Sequence, residues 1–379
     1  MRLLYITTQS FPSPKASTVQ VMQMCGAFAA SGVAVQLATR DPEHGRLSES
    51  ELCRQYDVPE SFRIVQLPWP KTPRPADVFQ LQTVQREGRG KWLCYTRGRD
   101  VTAPLMALRL GAQAVVEMHT PPISLRERLM LRLIQAHPRG WLVTLSEALI
   151  ETCIRKFGFR SNSFIIAPDG VDLSRFEPPV SAEDARDQLG LKSGTWVVYV
   201  GGLYEGRGLD TLFHTAAQLP INFLIVGGRD ETDVNAWQRR AENAGATNVH
   251  FYGYQAPEQV PLFLFAADIL AMPYGERVLT ASGEDISEWT SPLKMFEYMA
   301  AARPIVAGDL PVLGSVLAHE RNALLVPPDD IDALTASIQR LLSELELGQR
   351  LAKTAQDDVA QHTWEARAQL ILESVGLTQ

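Results

Sequence analysis

The sequence predicts an α/β protein built of two doubly wound, parallel-sheet domains that face a cleft. Three observations carry this expectation. Strand-length apolar runs alternate with helix-length amphipathic segments along the whole chain, the pattern of parallel sheets covered by helices. The chain has 379 residues, enough for about two domains at roughly 150 residues each. The strand–glycine–helix order then restarts after a polar, proline-containing stretch beginning at Phe176, which puts a domain boundary between residues 175 and 176.

In chain order, residues 3–7 read as the first strand, 19–30 as a helix ended by Gly32, and 33–39 as the second strand. Residues 41–89 are less regular. Pro68, Pro70, Pro73 and Pro75 point there to an exposed loop or lid. Residues 112–118 and 141–145 are further buried strands, and a helix follows from about Glu147. Residues 165–172 form a strand that runs into a turn, with Pro168 and Gly170 supplying the turn chemistry. In the second half, residues 195–200, 221–226, 249–252, 269–273 and 304–307 read as parallel strands. A glycine-rich segment, 201–208, follows the first of these and opens a helix. Residues 331–345 and 363–374 read as amphipathic helices.

Composition narrows the class. Hydrophobic residues make up 45% and charged residues 21%, which excludes a disordered chain. The longest apolar runs, such as 263–272, are too short to span a bilayer. The first residues turn polar too soon for a secretory signal, so a cytoplasmic location is expected. Cys25, Cys53, Cys94 and Cys153 form no CxxC pair and are expected to be free thiols in a reducing compartment. No HExxH and no Cys/His cluster occurs, so neither a metal nor another cofactor is expected. Residues 1–175 hold 22 Lys+Arg against 15 Asp+Glu, and residues 176–379 hold 14 against 28. A basic half in an acidic protein suits an anionic surface or substrate; mutual attraction of the halves is the plainer alternative.

Three segments carry candidate chemistry. In Ser291-Pro292-Leu293-Lys294-Met295-Phe296-Glu297, Ser291 suits a helix N-cap and Pro292 the first helical position. A capping box would put Glu or Gln where Lys294 stands. A lysine in the first turn opposes the helix dipole, which makes sense if backbone amides and Lys294 hold a phosphate; a solvated surface lysine is the alternative. Glu297 shares one side of the helix with Lys294 and sits among apolar neighbours, so it pairs with Lys294 or accepts from ligand hydroxyls such as those of a ribose. In Gly201-Gly202-Leu203-Tyr204-Glu205-Gly206-Arg207-Gly208, the glycines permit a tight turn and close backbone approach, and Arg207 is a second cation at a helix start. Two cationic helix starts suit a diphosphate. Glu117 and His119 lie two apart at the carboxyl end of a strand and project to one face. His119 suits a sugar hydroxyl or the reacting centre, or is merely a satisfied polar residue.

These residues resemble the GT-B fold retaining glycosyltransferases of family 4, the glycosyl transferases group 1. The resemblance rests on Ile166-Ala-Pro-Asp-Gly-Val-Asp172 with Phe176, on Tyr199-Val-Gly-Gly-Leu203 with Arg207-Gly208 and Asp210, on Phe251-Tyr-Gly253, and on Ser291 to Ala300 with Arg303-Pro-Ile-Val-Ala307. It covers nearly the whole chain and implies a GT-B pair of Rossmann-like domains: 1–175 for the acceptor, 176–360 for the nucleotide sugar, and 361–379 as a final helix crossing back to the first domain. It further implies an enzyme that moves a hexose from GDP- or UDP-hexose to the hydroxyl of a glycan or lipid-linked acceptor, with no metal and no nucleic acid. By resemblance, Arg207 and Lys294 hold the diphosphate and Glu297 the ribose. Tyr252, Gly253 and Tyr254 meet the base; Gly201, Gly202, Ser291, Pro292 and Leu293 complete the donor side. His119 lies near the transferred sugar, with Glu117 beside it, and Lys15, Ala16, Ser17 and Thr18 occupy the place of the acceptor-side glycine loop.

The chain also departs from the pattern. Trp289 stands eight positions before Glu297, where the family usually has a glutamate, with Glu288 one place off. Gly202 replaces an expected arginine, and Ala16-Ser17 a glycine pair. These departures leave room for a catalytically silent subunit that partners another transferase. A nucleotide-sugar epimerase on the same scaffold is a further alternative. Residues 123–135 hold Arg126, Arg128 and Arg132 among leucines. They suit a packed surface helix or one lying against anionic lipid, the latter implying a peripheral place on the inner face of the membrane.

Overall fold

The computed structural model describes residues 2–13, 15–42, 45–88, 90–280 and 283–377. The chain divides into two compact units, Met1–Asp169 with Trp364–Gln379, and Gly170–Thr363. The first crossing thus falls six residues before the expected one, within the Pro168–Gly170 turn.

The first unit is a parallel sheet of β1 (Arg2–Ser10), β2 (Ala34–Arg40), β3 (Arg63–Leu67), β4 (Trp92–Arg97), β5 (Gln113–Met118), β6 (Gly140–Thr144) and β7 (Phe164–Ile166). Their order is β3-β2-β1-β4-β5-β6-β7. Helices cover both faces, so central strands are apolar without alternation: Leu3, Leu4, Tyr5 and Ile6 are all fully buried. The order reverses between β1 and β4, and there the loops at the carboxyl ends diverge to opposite faces.

Residues 41–89 are not a lid. They contain helix Glu49–Gln55, strand β3 and helix Pro75–Glu87, and they bury Leu52, Cys53, Phe79 and Val84. Local signals explain this: Ser48 and Glu51 form a capping box, and Pro75 opens its helix at a position that needs no N–H donor. The remaining prolines, Pro68, Pro70 and Pro73, lie in the connection after β3. Helix Ala16–Ala30 starts earlier than expected, at the residue after Lys15. All four cysteines are free and buried.

The second unit holds β8 (Trp196–Val200), β9 (Asn222–Val226), β10 (Val249–Gly253), β11 (Ile269–Met272), β12 (Ile305–Gly308) and β13 (Leu324–Val326), all parallel in the order β10-β9-β8-β11-β12-β13. The reversal lies between β8 and β11. Two apolar cores sandwich the sheet, one around Phe263, Phe296 and Tyr298, the other around Phe213, Phe223 and Trp237. The last helix, Trp364–Ser374, belongs to the first unit, where it packs on helix Ala16–Ala30.

No helix among the described residues is long and apolar enough to cross a membrane.

Candidate active site

In the second unit the predicted cations gather at the sheet reversal. The loop after β8 brings Arg207, the loop after β11 brings Tyr274, and helix Leu293–Ala300 brings Lys294. Arg207 Nη1 donates to Tyr274 Oη at 2.7 Å. Lys294 Nζ lies 3.7 Å from the centre of the Tyr199 ring and 5.2 Å from that of Tyr274. The amine is shut off from solvent and has no hydrogen-bond partner. Burial, and then the neighbouring Arg207, hold its ionisation well below the usual lysine range. An unpartnered buried cation beside a guanidinium is a site waiting for negative charge.

The glycines leave the room for this. Gly201 has φ 152°, and a Cβ there would lie 2.7 Å from Lys294 Nζ. Gly208, at φ 74°, runs so close to Pro273 that a Cβ would meet its carbonyl oxygen. A Cβ on Gly202 would lie 2.5 Å from the Tyr204 ring.

The helix start differs from expectation. Pro292, extended at φ −74° and ψ 121°, is the N-cap, and Leu293 is the first helical residue. Half-buried Ser291 precedes the cap. Pro292 is itself extended rather than helical, which moves the cap from Ser291 to Pro292. Lys294 therefore stands in the first turn with no acidic residue beside it. Glu297 pairs not with Lys294 but with Arg175, whose Nη1 lies 3.4 Å from its Oε1; Arg175 also donates to the Pro257 carbonyl. At the end of β10, Gly253 has φ 68° with open space around its α-carbon, Tyr252 donates to the Leu189 carbonyl, and Tyr254 is 55% exposed. Trp289 is half-buried, and its indole N–H has no acceptor.

In the first unit Glu117 and His119 meet as predicted, with Nε2 and Oε1 2.6 Å apart. Glu117 is fully buried. It accepts from Gln20 Nε2 at 2.6 Å and from the Tyr95 hydroxyl, and Arg367 Nη2 lies 3.0 Å from it. Burial opposes its ionisation, but Arg367 and the donated bonds outweigh that and keep it well below the usual carboxylate range. Arg97 Nη2 lies 3.0 Å from His119 Nδ1. Burial, followed by Arg97, pushes the imidazole down to about 4. Both ring nitrogens are therefore engaged, and the ring is neutral. On the same edge, Lys15 is the N-cap of helix Ala16–Ala30; Ser17 donates to Gln9 at 3.1 Å and Thr18 to the Ser13 carbonyl at 2.8 Å. Pro14, in this loop, lies outside the described residues.

The sequence reading missed Tyr199 and Tyr274 beneath the cations, Arg175 beside Glu297, and the cluster of Gln20, Tyr95, Arg97 and Arg367 around Glu117. Only Arg97, at the end of a strand next to β5, carried a signal, and that strand had not been assigned.

Residues 194–344, which hold Gly201, Arg207, Tyr252, Lys294 and Glu297, match the family described as glycosyl transferases group 1. Through this segment the chain is similar to that family. A relative, the D-inositol 3-phosphate glycosyltransferase of Corynebacterium urealyticum, is 28% identical over 223 residues, 55% of this chain and 50% of that protein. The GDP-mannose-dependent alpha-(1-6)-phosphatidylinositol monomannoside mannosyltransferase of Mycobacterium tuberculosis is 26% identical over 209 residues, 53% of this chain and 52% of that one. The chain thus spans about half the length of the curated relatives it matches. Among solved structures, sucrose-phosphate synthase from Thermosynechococcus elongatus superposes with a TM-score of 0.76 at 22% identity, covering 98% of this chain and 97% of that one. The Anabaena protein HepE, in complex with UDP, gives 0.76 at 17% identity over 99% and 100%. At such identities the likeness establishes the fold, which is GT-B.

Proposed function

We propose that this chain is a retaining glycosyltransferase of the group 1 family that moves a hexose from GDP- or UDP-hexose to an acceptor hydroxyl, in the synthesis of a glycan, glycolipid or cell-surface polysaccharide. The unpartnered Lys294 amine beside Arg207, at the sheet reversal, carries this reading. In it the two cations and the amides at the start of helix Leu293–Ala300 receive the diphosphate, Glu297 the ribose, and the backbone from Tyr252 to Tyr254 the base. The bond from the sugar C1 to the diphosphate oxygen breaks, and C1 bonds to the acceptor oxygen on the same face. The acceptor proton passes to the leaving phosphate oxygen. Arg207 and Lys294 stabilise the charge that develops on that oxygen, in the role a metal takes in other transferases. The GDP-mannose dependence of the Mycobacterium tuberculosis relative and the UDP bound by HepE support this donor class.

The basic first unit suits an anionic acceptor, lipid-linked or phosphorylated. Helix Leu125–Ala136 supports the lipid alternative: Leu125, Leu129 and Leu133, each more than half exposed, line one side of it. We assign the protein a cytoplasmic, membrane-peripheral place on this ground.

A thermal-shift panel of nucleoside diphosphates and their sugars, followed by assay of transfer and donor hydrolysis, tests the reading. Failure of every nucleotide to raise Tm would end it. Trp289, with its unsatisfied indole N–H at the position of the usual glutamate, favours one other outcome, a silent subunit: nucleotide binding without turnover by the purified chain. Interconversion of the free donor would mark an epimerase.

A further inference from the structure

Within the first unit, the state of His119 depends on a residue near the end of the chain. An arginine only donates, so His119 Nδ1 accepts from Arg97, and the proton sits on Nε2, which donates to Glu117. That arrangement requires Glu117 to be ionised and fixed. Glu117 has no solvent to stabilise its charge. Its one full countercharge within ion-pair distance, among the described residues, is Arg367, whose side chain is 3% exposed. Arg367 arrives on helix Trp364–Ser374, 250 residues later in the chain. Its Nε also donates to the carbonyls of Pro168 at 2.9 Å and Ala167 at 3.2 Å. The guanidinium is thereby locked from two directions.

We infer that Arg367 is a positioning residue: by keeping Glu117 ionised and in place it acts together with Arg97, which donates to Nδ1, to hold the His119 ring in one tautomer and one orientation at the carboxyl end of β5. The other groups facing this pair are Tyr95 and Arg97 from β4, Gln20 from helix Ala16–Ala30, Tyr5 from β1, and Asp169 after β7. None of them supplies Glu117 with a second direct ion pair. A residue that served only to anchor the last helix would leave the proton of His119 where it is. The tautomer argument stands on the first unit alone; its consequence for transfer rests on the transferase reading.

The test is two-bond proton–nitrogen NMR of the full chain labelled at histidine, with His119 assigned through H119N. In the wild type, His119 holds the Nε2–H form down to a low pH. In R367M the ring should sample both tautomers, and its apparent pKa should rise by about one unit or more as the nearby positive charge is lost. R367K restores a charge for Glu117 and should restore the tautomer. If R367M does not fold, the R367M/E117Q double variant removes both buried charges together and should likewise show mixed tautomers. An Nε2–H tautomer and titration identical to wild type, in R367M or in the double variant, would overturn the inference. In transfer assays R367K, which cannot reproduce the fork to Ala167 and Pro168, should lower kcat about tenfold with KM for the sugar nucleotide unchanged. A wild-type chain that neither binds nor turns over any sugar nucleotide would sink the transferase reading and leave the NMR comparison to decide this one.

Discussion

Lys294 points its amine at the face of Tyr199, 3.7 Å from the ring centre, and finds no hydrogen-bond acceptor. The Tyr199 hydroxyl is engaged elsewhere, donating to the Gly202 carbonyl at 2.8 Å, so the ring offers only its π face. A desolvated cation–π contact is worth about 2 kcal/mol. That does not replace the water and anions a buried ammonium gives up, and Arg207 adds repulsion. Burial and Arg207 therefore hold the amine's ionisation well below the usual lysine range until an anion arrives. Binding of UDP or GDP should take up a proton. Calorimetry at a series of pH values, in buffers of different protonation enthalpy, should show proton uptake on nucleotide binding that grows as pH rises. K294M should abolish the uptake and weaken binding about 10- to 100-fold, the loss of one charge-assisted contact. Equal uptake by wild type and variant would show that Lys294 is not the group concerned.

The same amine makes Gly201 sensitive. An alanine Cβ would stand 2.7 Å from Nζ and 2.9 Å from Cε, and it would force φ 152° on a residue with a side chain. G201A should cost about 1–3 kcal/mol of stability and displace the lysine, so that UDP raises Tm less than in wild type. G208A meets backbone instead: its Cβ would overlap the Pro273 carbonyl oxygen. It should lower Tm further and leave little folded protein to titrate. Equal Tm values for both variants and the wild type would contradict these contacts.

What the sequence disclosed follows from range. Strand and helix periods are local, and so are Pro292, the glycines of the loop after β8 and the Glu117–His119 spacing; all these were legible. The helix Glu49–Gln55 was also locally encoded, by Ser48 and Glu51, but the prolines of the same segment masked it. The start of helix Leu293–Ala300 was misplaced by one residue because Pro292, which suits a first helical position, is extended and stands as the cap instead. The contact of Glu297 with Arg175 was not foreseen because Arg175 is 122 residues away. Arg367 was invisible for the same reason: nothing in Trp364-Glu365-Ala366-Arg367 marks an arginine that will be buried against Glu117. Buried ion pairs are chosen by topology, and topology is what a periodic pattern does not specify.

Asp169, at the chain crossing, supplies a pH dependence. Burial raises its carboxyl to about 7, against the pull of Arg367. The native state thus keeps a proton that the unfolded chain releases near pH 4, and between about pH 4 and 7 this contribution to stability falls as pH rises. His119 works in the opposite sense. Its depressed value, about 4, means that stability is lost as pH falls from about 6.5 toward 4. D169N resembles the protonated form and removes only the first effect. Urea unfolding should find D169N and wild type close at pH 4.5, with the variant more stable at pH 8 by about 1–4 kcal/mol. A gap between them that does not change with pH would show that Asp169 ionises normally.

Helix Leu125–Ala136 gives the last prediction. Leu125, Leu129 and Leu133, at 69%, 51% and 61% exposure, recur every four residues and so form one stripe, extended by Ile123 at 65%. The opposite side buries Leu131 and Ile134. The arginines between are partly committed: Arg126 to Asp77 at 2.8 Å, and Arg132 to the Gly158 carbonyl at 2.8 Å. Attraction to anionic lipid is therefore reduced, and apolar burial should dominate. Each leucine fully buried in lipid is worth about 1.5–3 kcal/mol. The triple variant L125S/L129S/L133S should lower co-sedimentation with phosphatidylglycerol vesicles at least 100-fold, while R126Q should lower it only a few fold and mainly at low salt. Because the stripe is exposed, the triple variant should keep the wild-type Tm. Unchanged vesicle binding by a folded triple variant would move any membrane contact to another surface and detach the lipid-linked acceptor from this helix.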